Sequence, residues 1–156
     1  IALLRMSALI LTALALVPSA AHFFEFAGKI ALEREAYFTV QSIYAGWALF
    51  AIPILGAILA NLALTGISWW RGDRRAVYSG ASAVLIAVSL GIFFLLVYPA
   101  NQETANWTRQ PENWENLRRN WEYGHAINAV IVFAAFVASC LACIGESRPD
   151  QARKAT

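Results

Sequence analysis

Charge is scarce in this chain. Charged residues make up 14% of its 156 residues, while 59% are apolar. A soluble domain carries about a quarter charged residues, so the polar surface such a domain needs is missing. The formal net charge of +2 is too small to point to nucleic acid. Cysteine is almost absent: Cys140 and Cys143 are the only two, which excludes a disulfide-stapled scaffold. Histidine also occurs just twice, as His22 and His125. No apolar stretch shows the strand-like alternation that a membrane barrel requires.

What is present is apolar sequence in long runs. The stretches 6–24, 42–67, 77–98 and 123–144 contain no Asp, Glu, Lys or Arg. About 20 such residues carry a helix across the hydrocarbon core. The expected fold is therefore an all-α membrane protein, one integral membrane domain over residues 1–156. Its core is a four-transmembrane-helix up-down bundle, with an extra outer amphipathic helix before the fourth span. Arg5, an apolar run and Val17-Pro18-Ser19-Ala20-Ala21 also resemble a secretory signal with a small-residue cleavage site. The stretch is read here as a retained first span. A chain that begins at Ile1 is expected to have lost residues ahead of it.

The basic residues give an orientation. Arg5, Arg71, Arg74, Arg75, Arg148, Arg153 and Lys154 fall on one side of a four-span layout, and Lys29, Arg34, Arg109, Arg118 and Arg119 on the other. The positive-inside rule places both termini and the 69–75 loop in the cytoplasm, with the chain in the plasma or inner membrane. Trp69 and Trp70 suit an interfacial aromatic anchor. Pro53 is expected to kink the second span, and Asn61 to bond across helices. Gly80, Ser82, Ser89 and Gly91 are small enough to let helices approach closely.

The two outer loops, roughly 25–41 and 101–122, are the place to look for function, because loops carry function more often than scaffolds do. Glu33 and Glu35, beside Arg34, read as a solvated charge cluster. In the second loop Asn106-Trp107, Asn113-Trp114 and Asn120-Trp121 recur every seven residues, close to two helical turns and hence one helix face. Pro111 suits a first helical turn. Residues 111–122 are expected to be helical and to run into the fourth span, with Gly124 as a bend. Trp114, Leu117, Trp121 and His125 then form one stripe. That stripe is either an interfacial anchor or a lid over a pocket between helix ends.

His22 ends the first span and His125 begins the fourth. In an up-down bundle both lie at the same end, near Glu25, Asn101, Arg118, Arg119, Glu122 and Asn128. Ionisable groups at membrane depth face the bundle interior or a water-filled cavity. Three readings stay open: interfacial histidines bonded to headgroups, a shared polar pocket, or a metal or haem site built on His22, Glu25 and His125. His22 with Glu25 at i+3 is half of a carboxylate–imidazole metal site, and a full di-iron site needs several more carboxylates. Cys140-Leu141-Ala142-Cys143 reads first as apolar packing, since a reducing cytoplasm disfavours a disulfide, with a redox or metal role for this C-x-x-C as the alternative.

Residues 99–128 carry a resemblance. The third span ends in Pro99-Ala100-Asn101; a polar loop follows, then Trp114, Leu117-Arg118, Trp121-Glu122 and His125. This pattern resembles the anthrone oxygenase-like family of four-span membrane proteins, also known as a domain of unknown function. The resemblance implies oxygenation of anthrones to anthraquinones, and functional positions at Asn101, Arg118, Trp121 and His125. The family pattern has an arginine three residues after the histidine, where this chain has Asn128. Similarity of this kind is associational and does not settle function.

Two functions follow as expectations. The first is a small membrane oxidoreductase acting on a flat, lipophilic, quinone-like or phenolic substrate. His125 would be the proton-transfer base, and Arg118 or Arg119 with Asn101 would stabilise an oxyanion. Trp114 and Trp121 would stack on the rings, and Glu122 and Asn128 would line the site. The second is a non-catalytic accessory or assembly subunit of a larger membrane complex. A transporter ranks last, because mid-membrane ionisable residues are almost absent.

Overall fold

The structure is a computed structural model and describes residues 1–144; Arg148, Arg153 and Lys154 lie outside the described residues. The helices are α1 (Ala2–Lys29), α2 (Arg34–Gln41), α3 (Ala51–Trp70), α4 (Ala76–Ile92), α5 (Tyr98–Glu103) and α6 (Trp114–Cys143). A π-helical turn, Phe93–Val97, joins α4 to α5 without a break. No strand occurs among the described residues. Four helical segments are long and apolar enough to cross a membrane: Ala2–Lys29, Trp47–Trp70, Ala76–Glu103 and Trp114–Cys143. The protein is an all-α membrane bundle.

The long helices pack as a closed ring, α1 against α3, α3 against α4, α4 against α6 and α6 back against α1. Leu3, Leu49, Ile52, Leu59, Leu95 and Phe133 stay exposed on the outside, as a lipid-facing surface requires. Inside, most of the residues are small, with Leu64 and Ile86 as larger exceptions. Ala8, Leu64 and Ala142 form one buried cluster and Ala57, Ile86 and Ala135 another. Side chains this short let helix backbones approach closely, which supplies packing where lipid removes the hydrophobic drive. Polar contacts tie the same region. Asn61 Nδ2 donates to Thr12 Oγ1 at 3.1 Å and to the Ala57 carbonyl at 2.9 Å, and Thr65 Oγ1 donates to Ser79 Oγ at 2.9 Å. Asn61 is fully buried and bonds across helices.

The two ends of the bundle differ, and are called here the arginine end and the histidine end. At the arginine end α3 stops in a tight turn. The Asp73 N–H donates to the Ser68 carbonyl at 2.9 Å and the Gly72 N–H to the Trp69 carbonyl at 3.0 Å. Gly72 has φ +68°, the left-handed position that ends a helix this way and that glycine takes without a Cβ penalty. Asp73 then accepts from Arg75 (Nη2–Oδ2 2.7 Å) and Arg5 (Nη2–Oδ2 3.3 Å), tying α1 to the turn. The Asp73 carboxyl is held below its ordinary range, first by the Arg75 hydrogen bond. Cys140 and Cys143 are free thiols, and the Cys143 Sγ lies 3.5 Å from the Arg5 carbonyl.

Three local expectations need correction. Pro53 sits in the first turn of α3, where its missing N–H costs nothing, so it does not interrupt the helix; residues 42–50 ahead of it form two short 3-10 turns. Pro111 precedes α6 without entering it, because the helix starts at Trp114. Gly124 does not interrupt the helix. α6 runs unbroken through it, and a Cβ there would sit 2.9 Å from Val97 Cγ2 and 3.1 Å from Leu96 Cβ. The glycine is where the π turn presses against α6.

Candidate functional site

The histidine end has a core of a different kind. Tyr37, Phe38, Val97, Ala100, Trp107, Trp114, Leu117 and Trp121 are buried together, with Leu32, Tyr44 and Phe93 packed against them. α6 begins well before its apolar run, so its first turns overhang the bundle and α2 covers them. Trp114, Leu117 and Trp121 share one face of α6 and turn it inward. Trp107 reaches the same core from a turn in which Ala105, Asn106 and Trp107 have φ of 50°, 55° and 64°. Three successive non-glycine residues in the left-handed region are strained. Thr104 supports the turn, its Oγ1 donating to the Ala100 carbonyl at 2.7 Å and accepting from the Trp107 N–H at 3.0 Å.

Beneath this cap the two histidines meet. Because α1 and α6 are neighbours, the rings of His22 and His125 lie with centroids 4.0 Å apart and planes at 36°. Trp121 contacts both, at 4.8 Å from His22 and 4.2 Å from His125. Tyr44 at 4.6 Å and Trp47 at 5.2 Å close the His22 side, and Phe93 at 6.4 Å borders His125. His22 is 4% exposed, and its Nδ1 is buried with no hydrogen-bond partner among the described residues. Glu25 Oε2 lies 3.9 Å from it, beyond hydrogen-bond range.

Next to the imidazoles runs a buried ionic network. Lys29, the last residue of α1, places Nζ 3.1 Å from Glu122 Oε1 on α6. Tyr37 Oη donates to the same oxygen at 2.9 Å and accepts from Gln41 Nε2 at 2.8 Å. Lys29 Nζ also donates to Tyr44 Oη at 3.0 Å, and Tyr44 Oη donates to Glu25 Oε2. The ammonium sits over the Trp121 ring, 4.1 Å from its centroid. Glu122 is 1% exposed and Lys29 4%, so each charge depends on the other. Burial pushes the Tyr37 phenol above its ordinary pKa, and the Glu122 charge adds to this. Tyr44 is also pushed up, by burial and then by its hydrogen bond to Glu25.

The residues singled out from the sequence therefore divide. His22, His125, Trp121 and Glu25 come together. Glu122 lies one helical position beyond Trp121 and holds Lys29. Asn101 acts through tryptophan: its Oδ1 accepts from Trp121 Nε1 at 2.9 Å and Trp107 Nε1 at 3.1 Å. Arg118 donates from Nη1 to the Leu32 carbonyl at 2.7 Å and lies 4.5 Å over the Trp114 ring; its recorded partners are these and Tyr37, not the imidazoles. Arg119 is exposed and has no polar partner among the described residues. Trp114 packs on Tyr37 and Phe38. Asn128 is buried, and its Oδ1 has no partner among the described residues. Glu33 and Glu35 are exposed, while Arg34 donates to the Pro111 carbonyl at 2.7 Å.

Sequence reasoning missed Lys29, Tyr37, Gln41, Tyr44 and Trp47. One signal was available. His22, Glu25 and Lys29 stand at i, i+3 and i+7, a single helical face, so Lys29 belongs with His22 and not with the loop charges.

A metal or haem does not fit this arrangement. Two imidazoles in van der Waals contact leave no room for a porphyrin between them, and Glu25 is engaged by Tyr44. Among the described residues no group of three His, Cys, Asp or Glu side chains is placed to hold a metal ion. What the arrangement can do is move protons: two imidazoles walled by aromatics, one ring nitrogen without a partner, and a half-exposed carboxylate nearby. Comparison with protein families, curated proteins and solved structures finds no match.

Proposed function

We propose that this chain is a small membrane oxidoreductase of the anthrone oxygenase-like kind, acting on a flat, lipophilic phenol or carbon acid drawn from the bilayer. The observation that carries the reading is the His22–His125 pair, 4.0 Å between centroids, with an unpartnered buried Nδ1 on His22. A neutral imidazole nitrogen without a hydrogen-bond partner can accept a proton from a bound substrate, and proton transfer by a positioned side chain contributes about 10²–10⁴-fold.

His125 and His22 are the base. An open apolar groove is lined by Ala45, Gly46, Trp47, Leu49, Phe50 and Pro53, and the Trp47 ring lies 5.2 Å from that of His22. A planar ring system would lie against Trp47. Removing a proton from the methylene of an anthrone leaves an electron-rich anion, and dioxygen is the oxidant. One oxygen atom becomes the new carbonyl, and the other leaves as water with the two hydrogens of the methylene. Asn101 positions Trp121, and the Lys29–Glu122 pair fixes α1 to α6 so that the imidazoles stay in register. In this reading the arginine end faces the cytoplasm, following the positive-inside rule.

The test is the oxidation of anthrone to anthraquinone by the chain in lipid nanodiscs, followed by absorbance. His125→Ala is expected to lose about a hundredfold in rate or more, with helical content unchanged. Wild-type turnover in that variant sinks the reading. Purification in fixed stoichiometry with other membrane subunits, together with no turnover, would support the accessory-subunit alternative instead.

A further inference from the structure

The arginine end holds more cations than anions among the described residues. Among the described residues, Arg5, Arg71, Arg74 and Arg75 meet one carboxylate there, Asp73. Arg75 and Arg5 are committed to it. Arg71 and Arg74 are exposed, and neither has an ion pair or side-chain hydrogen bond among the described residues. Asp73 is already neutralised, so it does not cancel them. The turn that presents them is held by the Asp73–Ser68 and Gly72–Trp69 backbone bonds.

A groove opens beside this turn, lined by Trp69, Gly72, Asp73, Arg74, Ala76 and Val77. Trp69 is 75% exposed, Trp70 91% and Val77 65%. Both indoles end α3, at the level where a span meets headgroups and where tryptophan concentrates. Two free guanidiniums, an indole pair and an apolar strip leading down α4 match one molecule in charge and shape. We propose that this groove binds an anionic phospholipid, its phosphate between Arg71 and Arg74 and an acyl chain along Trp69 and Val77. Arginine's planar donors suit phosphate. The apolar strip favours a lipid over free phosphate, and the two arginines left over once Asp73 is paired with Arg5 and Arg75 favour an anionic headgroup over a zwitterionic one.

The full chain, purified in mild detergent, would be titrated with phosphatidylglycerol and separately with phosphatidylcholine, and bound lipid counted by native mass spectrometry. Phosphatidylglycerol is expected to be retained preferentially. The Arg71→Gln/Arg74→Gln double variant should lose about fivefold in affinity per arginine, since a basic residue near an anionic surface is worth about 1 kcal/mol. Arg71→Lys/Arg74→Lys should recover most of the loss, and the thermal midpoint without lipid should not move. Equal retention of the two lipids by wild type overturns the proposal, and so does unchanged retention by the glutamine variant. Full displacement of phosphatidylglycerol by millimolar inorganic phosphate would also overturn it, in favour of a free-phosphate site.

Discussion

The two ends of this bundle solve the same problem with opposite materials. Each must hold charged groups at the edge of an apolar layer. The arginine end does so in the open: Asp73, Arg5 and Arg75 are partly exposed, on a turn stabilised by backbone geometry. The histidine end buries its charges. Lys29 and Glu122 are almost fully enclosed, under a lid of tryptophan and tyrosine rings. An exposed pair contributes under about 1 kcal/mol and tolerates loss. A buried pair contributes little net, yet losing one partner strands the other. The difference shows where this chain is brittle: at the end where chemistry is proposed.

That contrast can be broken most forcefully at Lys29. Lys29→Met leaves Glu122 buried and unpaired, and should cost about 3–5 kcal/mol, read by denaturant unfolding in bicelles. The double variant Lys29→Met/Glu122→Leu should recover most of the loss. A single variant as stable as wild type would mean that the ion pair is solvated and that the ends do not differ.

Packing offers the next largest effect. Gly124→Ala sets a methyl 2.9 Å from Val97 Cγ2, and overpacking of this sort costs about 1–3 kcal/mol. Gly66 has nothing within 4 Å of an added Cβ, so Gly66→Ala, inside α3, should be neutral or stabilising. Similar melting shifts for the two variants would show that the π turn does not press on α6.

The smallest effect sharpens the comparison by pH. The Tyr37 phenol is raised in the folded chain. Its contribution is full below the ordinary phenol pKa of about 10 and is lost as pH rises through the folded value. Asp73 is lowered. Its contribution is present above the ordinary carboxylate pKa of about 4 and is lost as pH falls through the folded value. Tyr37→Phe should therefore flatten the alkaline limb of a stability profile, and Asp73→Asn the acid limb by under about 1 kcal/mol. Alkaline difference absorbance checks the first directly: if Tyr37 ionises at the ordinary phenol pH while the chain is folded, its burial is wrong.

The spans were legible because a charge-free run of helical length has one stable use in a bilayer. The closeness of His22 and His125 was legible for a similar reason, since an up-down layout puts those two helix ends on one side. Asn101, Arg118 and Lys29 were harder. Their residue types announce chemistry or solvent. Yet Asn101 accepts from two indoles, Arg118 lies on Trp114, and Lys29 turns inward because a carboxylate far along the chain waits for it. Such roles depend on tertiary partners that periodicity does not encode. Trp47 was hidden for another reason: it sits in a 3-10 turn after Gly46, whose φ of 86° redirects the chain, inside what reads as uniform span.

The Lys29–Glu122 pair also sets an order of assembly. Synthesis proceeds from the N-terminus, so α1 enters the bilayer while α6 does not yet exist. Until the last helix arrives, the ammonium of Lys29 lacks the buried carboxylate of Glu122, with only the half-exposed Glu25 near it, and stays at the aqueous boundary. The tryptophan lid can close, and the imidazoles can meet, only when the final span has inserted; a ribosome-bound chain truncated before it would hold three helices and no site.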